Sequence, residues 1–275
     1  MTADVSTPPA TRTVRTFLAV AGAALVATAC GSAPLRSVGF GPETLYTAPA
    51  ALTGQLTVFA AASLTEAFND AKTSFARSAP SLNLTYEFAG SQTLVTQVSN
   101  GAAADVIATA DATTMNRLVA AGLVETPRQF ARNRLEMVVA PRNPKGVRTL
   151  ADLARTDLAV VLADPSVPAG GLAKEVLQTA GITVSPRSLE LDVKSVLSKV
   201  ELGEADAALV YTTDVTAARS LVAGVVIPEA QNMDTVYPIA VVTASAHQAA
   251  AEAFVDAAVS GPVQAFLQAR GFAAP

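Results

Sequence analysis

The 275-residue chain has one cysteine, one histidine and no tryptophan, and aromatic residues make up only 5% of it. A lone cysteine excludes an internal disulfide. One histidine and one cysteine give no cluster with zinc-ligand spacing. Without tryptophan, and with few other aromatics, a stacking platform for sugars or bases is a poor reading. Charged residues are also scarce, at 15%, and the net charge is −4 with no basic stripe, which argues against a nucleic-acid partner. A hydrolase using Ser63 or Ser91 would need a base. The single candidate is His247, far along the chain, and neither serine sits in a Gly-x-Ser-x-Gly elbow. These absences favour a binder over an enzyme.

Apolar residues make up 51% of the chain, enough for a large core. At the N-terminus Arg12 and Arg15 precede an apolar stretch from Phe17 to Ala29, shorter than a comfortable membrane span and followed by Cys30-Gly31-Ser32. This reads as a signal peptide over residues 1–29. Leu25-Val26-Ala27-Thr28-Ala29-Cys30 resembles a bacterial lipobox, which implies lipidation at Cys30 and a membrane anchor. Removing residues 1–29 takes away Arg12, Arg15 and Asp4 and moves the net charge to −5. Residues 30–53 hold Gly, Ser, Pro and Ala with little periodicity and read as a tether.

Beyond the tether, strand-like and helix-like segments alternate, the pattern of parallel α/β wiring. Strands are expected at Gln55–Ala60, Leu82–Phe88, Asp105–Ala108, Asn133–Ala140, Leu158–Leu162, Ser188–Leu191, Ala207–Tyr211, Val225–Ile227 and Tyr237–Val242. Helices are expected over Leu64–Ala79, Gln92–Ser99, Asp111–Val119, Leu172–Thr179, Asp192–Leu202, Ala246–Val259 and Pro262–Arg270, and another begins at Thr212. Asp164 to Gly171 reads as a Gly/Pro-rich loop. The last strand and helices have no partner set of their own. They are inferred to return to the first set, giving lobe I as 54–135 plus 238–275 and lobe II as 136–237, with two crossing segments.

Five helix starts follow strand ends, at Ser63, Ser91, Ala169, Val193 and Thr212. Strand carboxyl ends are where open α/β sheets bind ligands, and helix N-termini suit anions. Between two lobes these starts would supply hydroxyls and N–H groups without a cation. Such a pocket suits a fully ionised anion and rejects a protonated one, whose O–H finds no acceptor. Singly, each residue also has a plainer reading: Ser63 as a helix cap, Val193 as packing, Tyr211 as a core tyrosine, Asp111 and Asp214 as caps.

A resemblance ties these residues together. Phe59-Ala60-Ala61-Ala62-Ser63-Leu64 resembles the first motif of the bacterial molybdate-binding proteins of ABC importers, and Phe88-Ala89-Gly90-Ser91-Gln92-Thr93-Leu94 their second. Asp105 to Asp111, Asp164 to Gly170, Asp192-Val193, Leu209-Val210-Tyr211, Tyr237 to Val242, Gly261-Pro262 and Gly271-Phe272 are similar to further motifs in order. The resemblance covers about Gly54 to Phe272. It implies a type II periplasmic-binding-protein fold of two α/β lobes, each with a mixed, mostly parallel sheet flanked by helices. It implies a receptor that takes molybdate, and tungstate too, in the interlobe cleft and hands it to the permease and ATPase of an ABC importer. The metal would be held through its oxygens, with no direct metal ligand and no cofactor. Ser63 and Ser91 would donate through hydroxyl and backbone groups, Ala169 and Val193 through backbone N–H, Tyr211 through its phenol, and Ala61 through its backbone. The receptor would act as an extracytoplasmic, lipid-anchored monomer. A sulfate or other oxyanion receptor is the neighbouring alternative, and a secreted serine hydrolase the distant one.

Overall fold

A computed structural model describes residues 52–275. The expected signal peptide, Cys30 and nearly all of the tether lie outside the described residues. Leu52 is already packed in the core, so the folded part begins slightly before the expected boundary.

The chain runs β1 (Gly54–Ala61), α1 (Thr65–Ser78), β2 (Leu82–Ala89), α2 (Ser91–Ser99), β3 (Val106–Ala108), α3 (Ala112–Ala120) and the long β4 (Arg128–Val139). It continues through β5 (Val160–Ala163), α4 (Pro168–Thr179), β6 (Ser188–Glu190), α5 (Val193–Glu201), β7 (Ala207–Tyr211), α6 (Thr212–Ala218) and β8 (Ala223–Val225). It closes with β9 (Asp234–Val241), α7 (Gln248–Ser260) and α8 (Val263–Ala269). The strand order is β2-β1-β3-β9-β4-β7-β5-β6, with β8 paired to β4.

The pairings of β1 with β2 and β3, and of β5 with β6 and β7, are parallel. Every antiparallel pairing involves β4 or β9. The first half of β4 pairs with β9, and its second half turns to β7 and β8. One strand therefore serves both halves of the sheet.

The period-two alternation of a strand explains the layers. On β1, Leu56, Val58 and Ala60 face the main core, which α1, α7 and α8 cover, whereas Phe59 faces a second cluster with Leu94 and Val95 of α2 and Met115 and Leu118 of α3. On β3, Val106 and Ala108 divide from Ile107 in the same way. In α1, Phe68 and Phe75 recur at seven-residue spacing and both pack on Phe254 of α7, at 5.9 and 5.8 Å between ring centres. Burying a side chain the size of Phe68 stabilises by about 1.5–3 kcal/mol.

Several boundaries shift by one to three residues, as at β9, which begins at Asp234 and not Tyr237; four differences have an identifiable cause or consequence. The strand expected from Asn133 begins at Arg128, because pairing with β9 carries a segment whose Arg and Gln residues hide its alternation. The helix expected from Leu172 begins at Pro168, so part of the Gly/Pro-rich loop is its first turn; proline is suited to the first helical position, where no N–H is needed. The strand expected at Val225–Ile227 is shifted to Ala223–Val225, where β4 offers partners. Ser63 does not cap α1. It sits in a 3-10 turn, Ala62–Leu64, ahead of that helix, and its side chain makes no capping bond.

Candidate functional site

The segments that leave β1, β2, β5, β6 and β7 meet around one small cavity of ≈ 10 Å³. Ala61, Ser63, Ser91, Ala169, Val193 and Tyr211 all line it, as do Gly90, Ala110 and Val167. Thr212, expected among the helix starts at the cleft, is not in the lining. Its Oγ1 turns away to donate to Asn133 Oδ1 at 3.0 Å, and the neighbouring Tyr211 takes its place. None of the lining residues carries a charge.

The local structure sets what each residue offers. Ser63 is buried, and its Oγ lies 2.9 Å from Tyr237 Oη. Ser91 opens α2 and is buried, and its Oγ accepts from the Ala110 amide at 3.1 Å. Ala169 stands in the first turn of α4, where a helix leaves its N–H groups without intrahelical partners. Val193 opens α5 behind Asp192, whose carboxylate caps the helix by accepting from the Ser195 amide at 2.8 Å. The Val193 side chain packs in the core, so toward the cavity it can offer its backbone alone. Gly170 makes the close approach of α4 possible: a Cβ there would meet the Asp164 carbonyl oxygen at 2.0 Å.

Tyr211 ends β7 with its ring buried, and among the described residues its phenolic oxygen, beside the Tyr237 hydroxyl, has no partner in full hydrogen-bonding geometry. Burial, with the neighbouring Tyr237, Asp111 and Asp214, pushes its pKa well above the usual phenol value, so it is a neutral O–H. A buried unpartnered donor at a cavity wall is uncommon in folded proteins and calls for a ligand or water.

A cation, Lys194, follows the lining residue Val193 in the chain. Lys194 Nζ lies 2.8 Å from Glu66 Oε2 of α1 and 3.0 Å from Asp214 Oδ1 of α6. Burial opposes its charge, but Asp214 and Glu66 outweigh that, and the lysine pKa stands above its ordinary value. Burial pushes the Asp214 carboxyl up, while Lys194 and the Tyr211 amide pull it back. Two acidic partners thus neutralise this lysine before it can act on the cavity. Asp214 also accepts from the Tyr211 amide at 3.1 Å, and Asp111 from the Thr114 amide at 2.8 Å, so both serve as caps.

Contacts cross the rim. Gln92 Nε2 donates to the Leu191 carbonyl at 2.7 Å, and Gly90 lies so near that a Cβ there would be 2.4 Å from the same oxygen. The sequence pattern did not single out Tyr237, Lys194, Glu66 or the Gln92–Leu191 bond as parts of the site. The Tyr237–Ser63, Gln92–Leu191 and Lys194–Glu66 contacts span 99 to 174 residues of chain, and only the fold brings them together.

His247 is not part of this cavity. Its Nδ1 lies 3.1 Å from Asp105 Oδ1, and Ser245 Oγ donates to the same oxygen at 2.6 Å. Serine and histidine both attach to the carboxylate, so no serine–histidine–carboxylate relay is formed there.

Residues 56–273 match the family model described as bacterial extracellular solute-binding protein. The molybdate-binding protein ModA of Mycobacterium tuberculosis is 41% identical over 221 residues, covering 80% of this chain and 85% of that protein. Among solved structures, the periplasmic molybdate-binding protein of Azotobacter vinelandii superposes with a TM-score of 0.69 at 19% identity, covering 80% of this chain and 99% of that one. The sulfate-binding protein SubI of M. tuberculosis superposes with a TM-score of 0.71 at 20% identity, covering 79% and 86%. At such identities the two superpositions establish the fold alone, which is that of type II periplasmic binding proteins.

Proposed function

The chain belongs to the bacterial extracellular solute-binding proteins, and on that premise we propose that it is the receptor of an ABC importer and captures molybdate in the cavity between its strand ends. The observation that carries the reading is a cavity walled by hydroxyls and helix starts, without a charged side chain, and with the Tyr211 phenol unpartnered inside it. Ser63 Oγ, Ser91 Oγ, Tyr211 Oη and the amides of Ala169 and Val193 are the donors to the ion, with Ala61 adding a backbone contact.

Molybdate at neutral pH is a bare tetrahedral dianion, able only to accept. Each hydrogen bond to a charged acceptor contributes roughly 1.5–3 kcal/mol, and each helix start adds about 0.3–1 kcal/mol. Donors and dipoles thus stabilise the dianion without a cation, and release it without breaking an ion pair. The ion is cargo, and no cofactor takes part.

Further parts of the reading follow from it. Tungstate has the same shape and charge and binds too. The two lobes, 54–135 with 238–275 and 136–237, part to admit the ion and close over it. The Lys194–Glu66 and Gln92–Leu191 contacts hold the closed form, which the permease and ATPase of the importer read. The receptor is extracytoplasmic, monomeric and held to the membrane by a lipid on Cys30. Among the described residues, no helix is long and apolar enough to cross a membrane.

Calorimetric titration with molybdate, tungstate, sulfate and phosphate tests the reading. Molybdate and tungstate are expected to bind far more tightly than sulfate, and phosphate least. Equal affinity for sulfate would make this a general oxyanion receptor, and a preference for phosphate would overturn the donor-only cavity.

A further inference from the structure

Ser63 and Ser91 are the two serine hydroxyls of the cavity, and each has a polar group behind it. Behind Ser91 the polarity is unambiguous. The Ala110 amide, which can only donate, gives its proton to Ser91 Oγ at 3.1 Å. Ser91 therefore accepts from behind and keeps its own proton for the cavity.

Behind Ser63 stands the phenol of Tyr237, at 2.9 Å and buried, and by distance alone either oxygen could be the donor. The surroundings decide between them. A buried phenol needs an acceptor for its proton. Asn133 and Tyr211 also face the Tyr237 hydroxyl. The Asn133 carboxamide oxygen already accepts from the Arg134 amide at 2.9 Å and from Thr212 Oγ1 at 3.0 Å, and its nitrogen donates to Thr213 Oγ1 at 2.9 Å. Toward Tyr237 it has only an N–H to offer. Tyr211 Oη stands beside the Tyr237 hydroxyl but is in full hydrogen-bonding geometry with no atom among the described residues. Ser63 Oγ is the acceptor that remains.

From this arrangement we propose that Tyr237 is a positioning residue: it donates to Ser63 and so aims the Ser63 proton into the cavity, which makes the site selective for oxyanions that carry no proton. The proposal rests on the receptor reading and adds to it the residue that enforces the donor-only character. Phosphate at neutral pH keeps a P–O–H that must find an acceptor, and a Ser63 held in this polarity presents a proton instead. Free of Tyr237, the Ser63 hydroxyl could rotate and accept.

The test is calorimetry on the full-length protein with molybdate and with phosphate, for the wild type, Tyr237→Phe, Ser63→Ala and the double variant. Tyr237→Phe keeps the ring, which stacks edge-on to Tyr211 and Phe272. Molybdate affinity is expected to fall about tenfold in Tyr237→Phe, and the molybdate-to-phosphate preference to fall with it. Because Tyr237 acts through Ser63, the double variant is expected to bind molybdate no more weakly than Ser63→Ala. Additive losses in the double variant, or an unmoved preference, would overturn the proposal and leave Tyr237 as packing. Should the Phe variant not fold, a ring-fluorinated tyrosine at position 237 gives the second readout. It donates more strongly and accepts more weakly, so molybdate affinity holds or rises if the polarity is right, and falls if it is wrong. A wild-type protein that ignores molybdate would instead overturn the receptor reading, before any variant is made.

Discussion

The two sides of the cavity offer the same kind of group by different means. On the side of β1 and β2 the donors include side chains, the hydroxyls of Ser63 and Ser91. On the side of β5 and β6 they are backbone amides, at Ala169 and Val193, whose side chains are packed away. Tyr211, at the end of β7, adds a phenol to the second side. A substitution at Ser63, Ser91 or Tyr211 removes a donor, whereas one at Ala169 or Val193 can act only by moving the backbone. The difference teaches where a binding site can be encoded: in residue type on one side, and in helix placement on the other.

The comparison is broken most severely at Gly170. A Cβ there would meet the backbone oxygens of Asp164 and Ala163 at 2.0 and 2.5 Å. Neither can give way like a flexible side chain, so α4 must move. Gly170→Ala is expected to cost about 3 kcal/mol of stability and most of the molybdate affinity, read by thermal unfolding and calorimetry, although no donor side chain has been touched.

Lys194→Met comes next. It leaves Asp214 buried without its ion partner, at about 3 kcal/mol. The variant also sharpens the pH dependence. The folded-state pKa of Lys194 is above its ordinary 10.5, so its contribution is fully present below that value and is lost as pH rises through the folded pKa. Wild-type melting temperature is expected to fall more steeply than that of Lys194→Met above about pH 10. Parallel curves would show that the lysine contributes nothing through its charge.

Ser91→Ala strikes the first side directly. Removing the hydroxyl deletes a donor to the ion and leaves the Ala110 amide without its acceptor, so molybdate binding is expected to weaken by about tenfold or more. The smallest effect on binding is expected for Val193→Ala. It trims a core side chain at about 2 kcal/mol of stability, while molybdate affinity stays within about twofold because the amide remains. A large affinity loss there would mean that the side chain shapes the cavity as well.

The same division explains what could be read from the residues alone. The β-branched and aromatic run of β1, the alternation of Leu82, Leu84, Tyr86 and Phe88 in β2, the helical spacing of Phe68 and Phe75 and the Gly and Pro stops placed the elements of the fold, because these are local consequences of burial and backbone freedom. Ser63 and Ser91 were legible as hydroxyls at strand ends, whereas Tyr211 as a donor came from the resemblance. Ala169 and Val193 carry no chemistry in their side chains; they were legible as helix starts, and the resemblance gave them their role as backbone donors. The start of β4 was missed because its partner β9 is a hundred residues away and its charged residues mask the period. Tyr237 gave no local sign of its place behind Ser63, since that contact spans 174 residues.

The central claim is that five donors from the two sides enclose one bare tetrahedral dianion. A crystal structure with molybdate, with the metal located by anomalous scattering at its absorption edge, tests it most directly. The account predicts a single peak in the cavity, with its oxygens about 2.7–3.1 Å from Ser63 Oγ, Ser91 Oγ, Tyr211 Oη and the amides of Ala169 and Val193. A peak elsewhere, or one in the cavity ligated by the side chain of Lys194, would contradict it.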